Sequence, residues 1–264
     1  MKLFSKSGIA LGLMVAASAM LAACGGGDDG IDDRLGLNEP QTRVIHAVPP
    51  IPTQLNLDVY QNGARTSLQN IPYKFVARYS DVDDGNHLFT FNAAGTQTEV
   101  GRAQVDAATG HKYTIVALPG DDRADTLVID DPYEKGLLSN KARVRAVNAA
   151  FNAQNVDIYV TAPSVDLNTV NPTFANVAYK SAVPASGQDS NEFDGGNNYQ
   201  IRITTAGTKQ VIFSSGAITI DNNADWLIMP IPVDGIASAV PNNIKVLVAK
   251  ANDDSQTAIE LVSQ

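Results

Sequence analysis

Apolar and polar side chains alternate along much of the chain, and this alternation predicts β-strands. Within 55–60 every second residue is leucine or valine, and the Asn62-Gly63 pair that follows is typical of a tight hairpin turn. Short runs rich in β-branched or aromatic residues predict further strands at 88–91, 113–118, 126–129, 199–205, 211–213, 226–231 and 244–248. No segment after residue 23 has the apolar period of a helix. The pattern is typical of β-sandwiches, which place about seven short strands in about 100 residues.

Prolines and small polar residues indicate where strands end. Pro230 and Pro232 offer no N–H to a sheet, so we expect the strand at 226–231 to lie at a sheet edge or to end there. Loops at the ends of the sandwiches, where such modules usually make contacts, are predicted at 49–54, 162–172 and 186–198. The last of these is rich in Gly, Asn, Asp and Ser, so we expect it to be mobile and to be cut first by proteases.

Four short motifs occur twice in the same order, which indicates an internal repeat. The pairs are 43–47 with 145–149, 57–60 with 156–159, 70–74 with 176–180, and 94–96 with 206–208. Segment 132–140 carries proline, glycine and charges, as a boundary between two units would. We therefore predict an all-β fold of two tandem antiparallel, immunoglobulin-like β-sandwich domains, at 41–136 and 137–264.

The start of the chain has the composition of an export signal. Lys2 and Lys6 form a short basic start, which is followed by an uncharged apolar run at 8–23. This run is shorter than the roughly 20 residues of a membrane-spanning helix. The four residues Leu21-Ala22-Ala23-Cys24 resemble a bacterial lipobox, so 1–23 is expected to be a signal peptide and Cys24 the lipidated N-terminus. The resemblance implies more than one acyl chain and a stable membrane anchor. The alternative is an ordinary signal peptide that ends near a cysteine.

Residues 24–40 are rich in glycine and aspartate and are predicted to be a flexible tether. In Gram-negative lipoproteins, which this start resembles, aspartate directly after the cysteine retains the protein in the inner membrane. Gly25 stands at that position. The resemblance therefore implies the outer membrane, with the periplasmic and the surface face both left open.

Motifs of the first unit resemble a known bacterial family. They are RVIHAVP at 43–49, LDVY at 57–60, IPY at 71–73 and YTIV at 113–116. Together they resemble the bacterial "domain of unknown function 4397" family, whose members often follow a signal peptide or lipobox and often contain the domain twice. The resemblance covers most of 42–131 and is fainter over 142–250, where Asn148 replaces His46 of the motif. It implies a β-sandwich and an exported protein, and it brings no known activity.

Charge and composition exclude several classes of function. With 28 acidic and 19 basic residues the net charge is −9, which disfavours binding to nucleic acid. A single cysteine excludes a disulfide framework and a multi-cysteine zinc site. The three histidines, His46, His87 and His111, are not at metal-ligand spacing, so no metal is expected. Segment 81–86 fails the EF-hand template and is interpreted as a polar hairpin turn, with weak calcium binding left open.

Two aspartates fall inside apolar strands, where an unpaired carboxylate is costly. We expect Asp58 to meet either Arg43 or a backbone N–H of a turn in its own unit, and Asp157 to meet either Arg145 or such an N–H. Because the same residue types recur in both units, we interpret them as structural.

The sequence contains no nucleophile elbow, zinc-protease or nucleotide-binding motif. We predict no catalytic residues and no cofactor. The hypothesis is an envelope lipoprotein whose sandwich modules bind a protein or glycan partner. A sugar ligand would require an exposed aromatic platform, for which Trp226 is the test residue. The alternatives are a structural protein of envelope integrity and an enzyme of unrecognised type.

Overall fold

The structure is a computed structural model that describes residues 39–50, 53–120, 124–132, 140–251 and 253–264. Within it, Asn38–Gln264 forms one compact unit. The predicted signal peptide, Cys24 and nearly all of the predicted tether lie outside the described residues, as does most of the predicted boundary at 132–140. None of the helices in the described part of the chain is long and apolar enough to cross a membrane.

Strands make up most of the described chain, together with two short 3₁₀-helices. The first half contains β1 (Gln41–His46), β2 (Leu57–Gln61), β3 (Ala64–Arg65), β4 (Ser80–Asp81), β5 (Gly85–Ala93), β6 (Glu99–Ala107), β7 (Lys112–Leu118) and β8 (Asp125–Asp131). The second half contains β9 (Lys141–Val147), β10 (Val156–Thr161), β11 (Phe174–Val177), β12 (Ala182–Val183), β13 (Asn191–Asp194), β14 (Asn197–Thr205), β15 (Val211–Ile220), β16 (Asp225–Pro232), β17 (Ile244–Lys250) and β18 (Ile259–Leu261). The 3₁₀-helices are Leu167–Thr169 and Gly235–Ala239.

Each half is a pair of sheets packed around an apolar core, so the predicted all-β sandwich fold is confirmed. In the first half the sheets have the orders β4-β1-β7-β8 and β3-β2-β5-β6. In the second they are β12-β9-β16-β17-β18, with β13 also on β9, and β11-β10-β14-β15. Alternate residues of facing strands fill each core, for example Val44, Val59 and Phe91 in the first half and Ile158 and Phe213 in the second.

One strand pair in each half is parallel, which the sequence does not predict. β1 runs parallel to β7, from Gln41 opposite Lys112 to His46 opposite Ala117. β9 runs parallel to β16 over four residue pairs. Two parallel neighbours need a long connection between them. In each half this connection contains the strands of the second sheet.

A third apolar core joins the two halves. It contains Ile45, Val116 and Leu118 of the first half and Val147, Leu227, Met229 and Leu247 of the second, all at most 2% exposed. The central strands are therefore buried on both faces, and in β7 six consecutive residues are buried. The two sandwiches share this core within one compact unit.

Contacts across this junction are reciprocal between the halves. Lys74 of the first half pairs with Glu260 of the second at 3.1 Å. The corresponding residue of the second half, Lys180, pairs with Asp125 of the first. Its neighbour Tyr179 donates a hydrogen bond to the carbonyl oxygen of Pro119 in the first half. The repeated Tyr-Lys motif thus reaches the opposite half in both cases.

Of the two alternatives predicted for the proline-containing strand, the edge position is wrong, whereas the strand does end at its second proline, Pro232. β16 lies in the interior of its sheet, between β9 and β17. The carbonyl oxygen of Pro230 accepts the N–H of Ala149 at 3.0 Å, so the missing N–H of Pro230 faces the β9 side. The parallel ladder with β9 has already ended at Ile228, and the ladder with β17 continues to Pro232. The prolines remove no hydrogen bond from β17, which is why an interior strand tolerates them.

The stretch 186–198 contains a strand, which its composition did not indicate. Residues Asn191–Asp194 pair with β9 from Val144 to Lys141. The N–H of Gly195 donates to the carbonyl oxygen of Asn140 at 2.9 Å. A Cβ on Gly195 would lie 2.5 Å from Asn222 Cα, so only a glycine allows the backbone to approach this closely. The rate of proteolysis in this stretch stays a prediction.

Candidate functional site: a cleft between the sheets of the first half

The two buried aspartates bind turns of the backbone. Asp58 accepts the N–H of Asn70 at 2.7 Å through Oδ1 and that of Gly95 at 3.0 Å through Oδ2. The hydrogen bond from Gly95 lowers the pKa of the Asp58 carboxyl. Asp157 accepts the corresponding N–H groups of Asn176 and Gly207 at 2.7 and 2.8 Å. Of the two partners expected for each aspartate, the structure has the turn N–H and not the arginine.

The two arginines of the repeat lie at the junction of the halves. Arg43 donates through Nε to Thr114 Oγ1 at 2.9 Å, and its guanidinium lies 4.6 Å from the ring centroid of Tyr79. Arg145 donates to the carbonyl oxygens of Pro184, Ala185 and Gln188. Both arginines line one small cavity of about 10 Å³, the size of a single water molecule. The fold therefore brings Arg43 and Arg145 together and separates each from the aspartate of its own unit.

His46 is a structural histidine. Its Nε2 lies 2.6 Å from the carbonyl oxygen of Leu55, and its Nδ1 accepts the N–H of Val48. Burial lowers the pKa of His46 to about 4. Asn148, at the corresponding position, accepts the N–H of Ala150 through Oδ1. Asparagine and histidine thus close the same local turn, which explains their exchange between the repeats.

The other histidines are also engaged by their surroundings. His87 contacts Gln61 Nε2 at 3.0 Å and the carbonyl oxygen of Asp83 at 2.7 Å. His111 Nδ1 lies 2.7 Å from Asp130 Oδ1. The structure does not bring the three histidines to a common partner. Within the described ranges, no group of three or more His, Cys, Asp or Glu side chains could hold a metal ion.

Trp226 and the segment 81–86, both singled out in the sequence, belong to the framework of the fold. Trp226 is 4% exposed, so it offers no platform to a sugar ring. In the segment 81–86, β4 ends at Asp81 and β5 begins at Gly85, as expected of a turn between strands. The carboxylate of Asp84 accepts the hydroxyl of Thr109 at 3.0 Å.

A cleft of about 470 Å³ opens between the two sheets of the first half, along the edge strands β3 and β4. This volume lies within the range of ligand pockets. The apolar lining consists of Val44, Val59, Ala64, Leu68, Ala77 and Phe89. The polar lining consists of Thr42, Arg43, Gln61, Arg65, Thr66, Ser67, Arg78, Tyr79, Ser80 and Gln256. Gln256 comes from the second half, so the cleft requires the whole compact unit.

The cleft is cationic although the protein is acidic. Its lining includes three arginines and no aspartate or glutamate, in a chain of net charge −9. Arg65 is exposed and donates through Nε to Gln69 Oε1 at 2.7 Å. Its terminal nitrogens have no hydrogen-bond partner in the described part of the chain. Arg78, half exposed at 51%, pairs with Asp254.

At one position of its lining the cleft has a smaller apolar residue, Leu68, where the second half has Phe174. In the second half, Ile158 of β10 pairs with Phe174. In the first half the corresponding residue of β2 is Val59, and it donates its N–H to the carbonyl oxygen of Leu68. Leu68 therefore stands where the second half has Phe174. Phe174 is fully buried in the core of the second half, and Leu68 is half-buried. The edge strands differ in length as well, since β3 and β4 have two residues each and β11 and β13 have four.

A second depression, of about 410 Å³, lies in the second half beside the turn that Asp157 caps. Its lining has no charged side chain and consists of Gln154, Asn155, Asn176, Thr205 and Ala206. The cleft of the first half is therefore the better candidate for a specific ligand, because it combines charge, hydrogen-bonding groups and an apolar floor.

Sequence reasoning did not find the cleft. Its residues come from five separate parts of the chain, at 42–44, 59–68, 77–80, 89 and 256, and no single motif contains them. The signal that was present is the pair of arginines, Arg65 and Arg78, in short polar segments between apolar strands.

Comparison with known proteins gives a family match for the half that holds the cleft. Residues 40–159 match the family model described as a domain of unknown function, DUF4397. The match spans fewer than half of the 264 residues. It includes all of β1–β8 and continues through β9 into β10, and it agrees with the resemblance carried by the motifs of 42–131.

The other comparisons add little. No curated protein matches the chain. Among solved structures, one that is similar is the crystal structure of a family 26 carbohydrate-binding module from Eubacterium rectale Amy13K in complex with maltoheptaose. It is 7% identical, with 81% of this chain and 99% of that chain covered, at a TM-score of 0.24. Such a score assigns neither fold nor ligand to this protein.

Proposed function

We propose that this protein is a non-catalytic binding protein of the bacterial cell envelope, which holds a protein or glycan partner in the cleft of its first half. The observation that carries the proposal is the cleft itself. It has the volume of a ligand pocket, an apolar floor and a cationic, hydrogen-bonding wall, and it opens to solvent.

The roles of the other polar side chains support binding over catalysis. His46 is buried, with both ring nitrogens in contact with the backbone. Asp58 and Asp157 accept backbone N–H groups, and Arg145 donates to backbone carbonyls. These four side chains are therefore engaged with the backbone of the protein itself.

The envelope location and the repeat belong to the same proposal. The sequence of 1–24 supports export and lipidation at Cys24, and Gly25 supports the outer membrane. The second half repeats the pairing orders of the first, as β13-β9-β16-β17 and β11-β10-β14-β15, with β12 and β18 as additional strands. This agreement supports the proposal that the second half is a second copy of the family domain, although the family match ends at Tyr159.

Photo-crosslinking from the cleft tests the binding function. A photoreactive phenylalanine analogue placed at Ser67 in the cleft is expected to capture a partner in intact cells. The same analogue at Gln104, exposed on β6, is the matched control. Digestion of the adduct with proteases or with glycosidases identifies the class of partner. Equal adducts at both positions, or none at Ser67, would contradict binding in the cleft.

Location is tested separately. Mass spectrometry of the mature N-terminus is expected to find an acylated Cys24, and Cys24→Ser should release the protein from membranes. Protease treatment of intact cells, with a periplasmic marker as control, distinguishes the surface from the periplasmic face. An unmodified N-terminus in the wild type would overturn the anchor and leave the binding function standing.

A further inference from the structure

We infer that the cleft binds an acidic glycan, with carboxylates on its sugar rings held by Arg65 and Arg78. The inference rests on the proposed function and deepens it by naming the ligand class. It follows from the charge of the lining, from the side chains that remain available for hydrogen bonds and from the apolar residues buried at the floor of the cleft.

The charge of the lining selects an anion. Arg65 keeps both terminal nitrogens available, and a guanidinium binds a carboxylate through two parallel hydrogen bonds. Arg78 stands on the opposite edge and is paired with Asp254, whose side chain is 93% exposed and is readily replaced by a ligand carboxylate. Behind them, Arg43 is 4% exposed, has no carboxylate partner among the described residues and adds to the positive potential.

The uncharged polar side chains suit sugar hydroxyl groups. Ser67 and Gln256 have no side-chain hydrogen-bond partner in the described ranges, and each can both donate and accept. A hydroxyl group of a sugar likewise donates and accepts. These two residues lie in the same cleft as the arginines, so one ligand can reach all of them.

The floor suits the apolar face of a sugar ring. Val44, Val59 and Phe89 are buried beneath the cleft, and Leu68 and Ala77 complete the floor. A folded protein partner usually needs roughly 800 Å² on each side, which exceeds what such a cleft offers. A short acidic peptide would use the arginines, but its Asp and Glu side chains present no ring with an apolar face to the floor.

Calorimetric titration of the detergent-solubilised protein tests the inference. The ligand is a hexamer of galacturonic acid, and its fully methyl-esterified form is the matched uncharged control. Hexaglutamate represents an acidic peptide. We expect the acidic hexamer to bind, with an affinity that falls as salt rises, and both controls to bind at least about tenfold more weakly.

Variants assign the binding to the cleft. We expect Arg65→Gln and Arg78→Gln each to weaken binding roughly tenfold, since each removes a charged hydrogen bond. Arg102→Gln, on the exposed face of β6, is the matched control and should bind normally. Leu68→Phe places in the cleft the residue type that fills the corresponding position of the second half, and it should abolish binding. Leu88→Phe, at a residue 38% exposed on β5, should not.

The inference is overturned if the acidic hexamer does not bind, if its methyl ester or hexaglutamate binds as tightly, or if the arginine variants bind normally. Unfolding midpoints of all variants are compared with the wild type, so that a loss of fold is not read as a loss of binding. Adducts at Ser67 in cells together with no binding of the acidic hexamer would remove the ligand class and leave the proposed function intact.

Discussion

His46 and Asn148 occupy corresponding positions in the two halves and close the same local turn, but His46 alone of the two can be protonated. Burial lowers the pKa of His46 to about 4, against about 6.5 for an exposed histidine. Below pH 6.5 the His46 side chain therefore binds a proton in the unfolded chain, whereas in the folded chain it stays neutral until the pH approaches 4. The free energy of unfolding falls as the pH drops from 6.5 towards 4, by up to about 3 kcal/mol for this residue.

We predict that His46→Asn, which copies the second half, flattens the dependence of the melting temperature on pH between 6.5 and 4. Burial raises the pKa of Asp131, but Asp131 is present in both the variant and the wild type. The difference between their two pH profiles therefore isolates the contribution of His46. The measurement is thermal unfolding at a series of pH values. Parallel curves for variant and wild type would show that His46 does not carry the effect.

The turn-capping aspartates give a second prediction at the residue scale. Both carboxylate oxygens of Asp58 accept a backbone N–H, from Asn70 and from Gly95. In Asp58→Asn an NH₂ group replaces one of these oxygens, so one of the two N–H groups loses its acceptor. The loss is expected to be about 1–3 kcal/mol in the free energy of unfolding, with a similar value for Asp157→Asn. Denaturant unfolding measures it. Asp106→Asn, at an exposed position on β6, should change stability by less than about 0.5 kcal/mol.

At the scale of elements, the sequence predicted most of the strands that alternate or carry β-branched runs, including β2, β5, β7, β8 and β14. It could not predict which strands become neighbours, because the period of two describes a strand and not its partner. The parallel pair β1–β7 and the interior position of β16 follow from contacts between residues more than 70 positions apart. The cleft was missed for the same reason, since it is defined by the edge strands β3 and β4 from separate parts of the chain.

The strand β18 is attached to the junction through its glutamate. Glu260 accepts hydrogen bonds from Lys245 at 3.0 Å and Lys74 at 3.1 Å. Burial raises the pKa of Glu260, but the two lysines outweigh burial and hold it below its usual value. This stabilisation is therefore present above the ordinary pKa of a glutamate and is lost as the pH falls through the lowered one.

We predict that Glu260→Gln lowers the free energy of unfolding at pH 7 by about 1–3 kcal/mol, since Lys245 is 4% exposed and loses one of its two carboxylate partners. Chemical denaturation at pH 7 measures the change. Glu39→Gln, exposed at the start of the described chain, is the control. Equal stability of both variants would show that Glu260 does not hold β18 in place.

At the scale of the whole molecule, the third core couples the two sandwiches. Ile45, Val116 and Leu118 would face water if the halves separated, as would Leu227 and Met229. Exposure of several large apolar side chains costs about 1.5–3 kcal/mol each, so we expect the halves to unfold together.

The single tryptophan makes this coupling measurable. Trp226 lies in the core of the second half, whereas Phe91 lies in the core of the first. We predict that Phe91→Ala, expected to cost about 3–5 kcal/mol, moves the unfolding transition reported by Trp226 fluorescence to lower denaturant. A transition of Trp226 that stays at its wild-type midpoint would show that the halves unfold independently.

The repeated Tyr-Lys segment contacts the opposite half in both directions, through Lys74 and Lys180, within a single chain. In a dimer of identical subunits, any substitution is made at two symmetric places at once, so a residue that closes one pocket closes both. Covalent linkage of the two halves lifts that constraint. Phe174 can fill the core at the edge of one half, while Leu68 at the corresponding place lines the open cleft in which a ligand is proposed to bind.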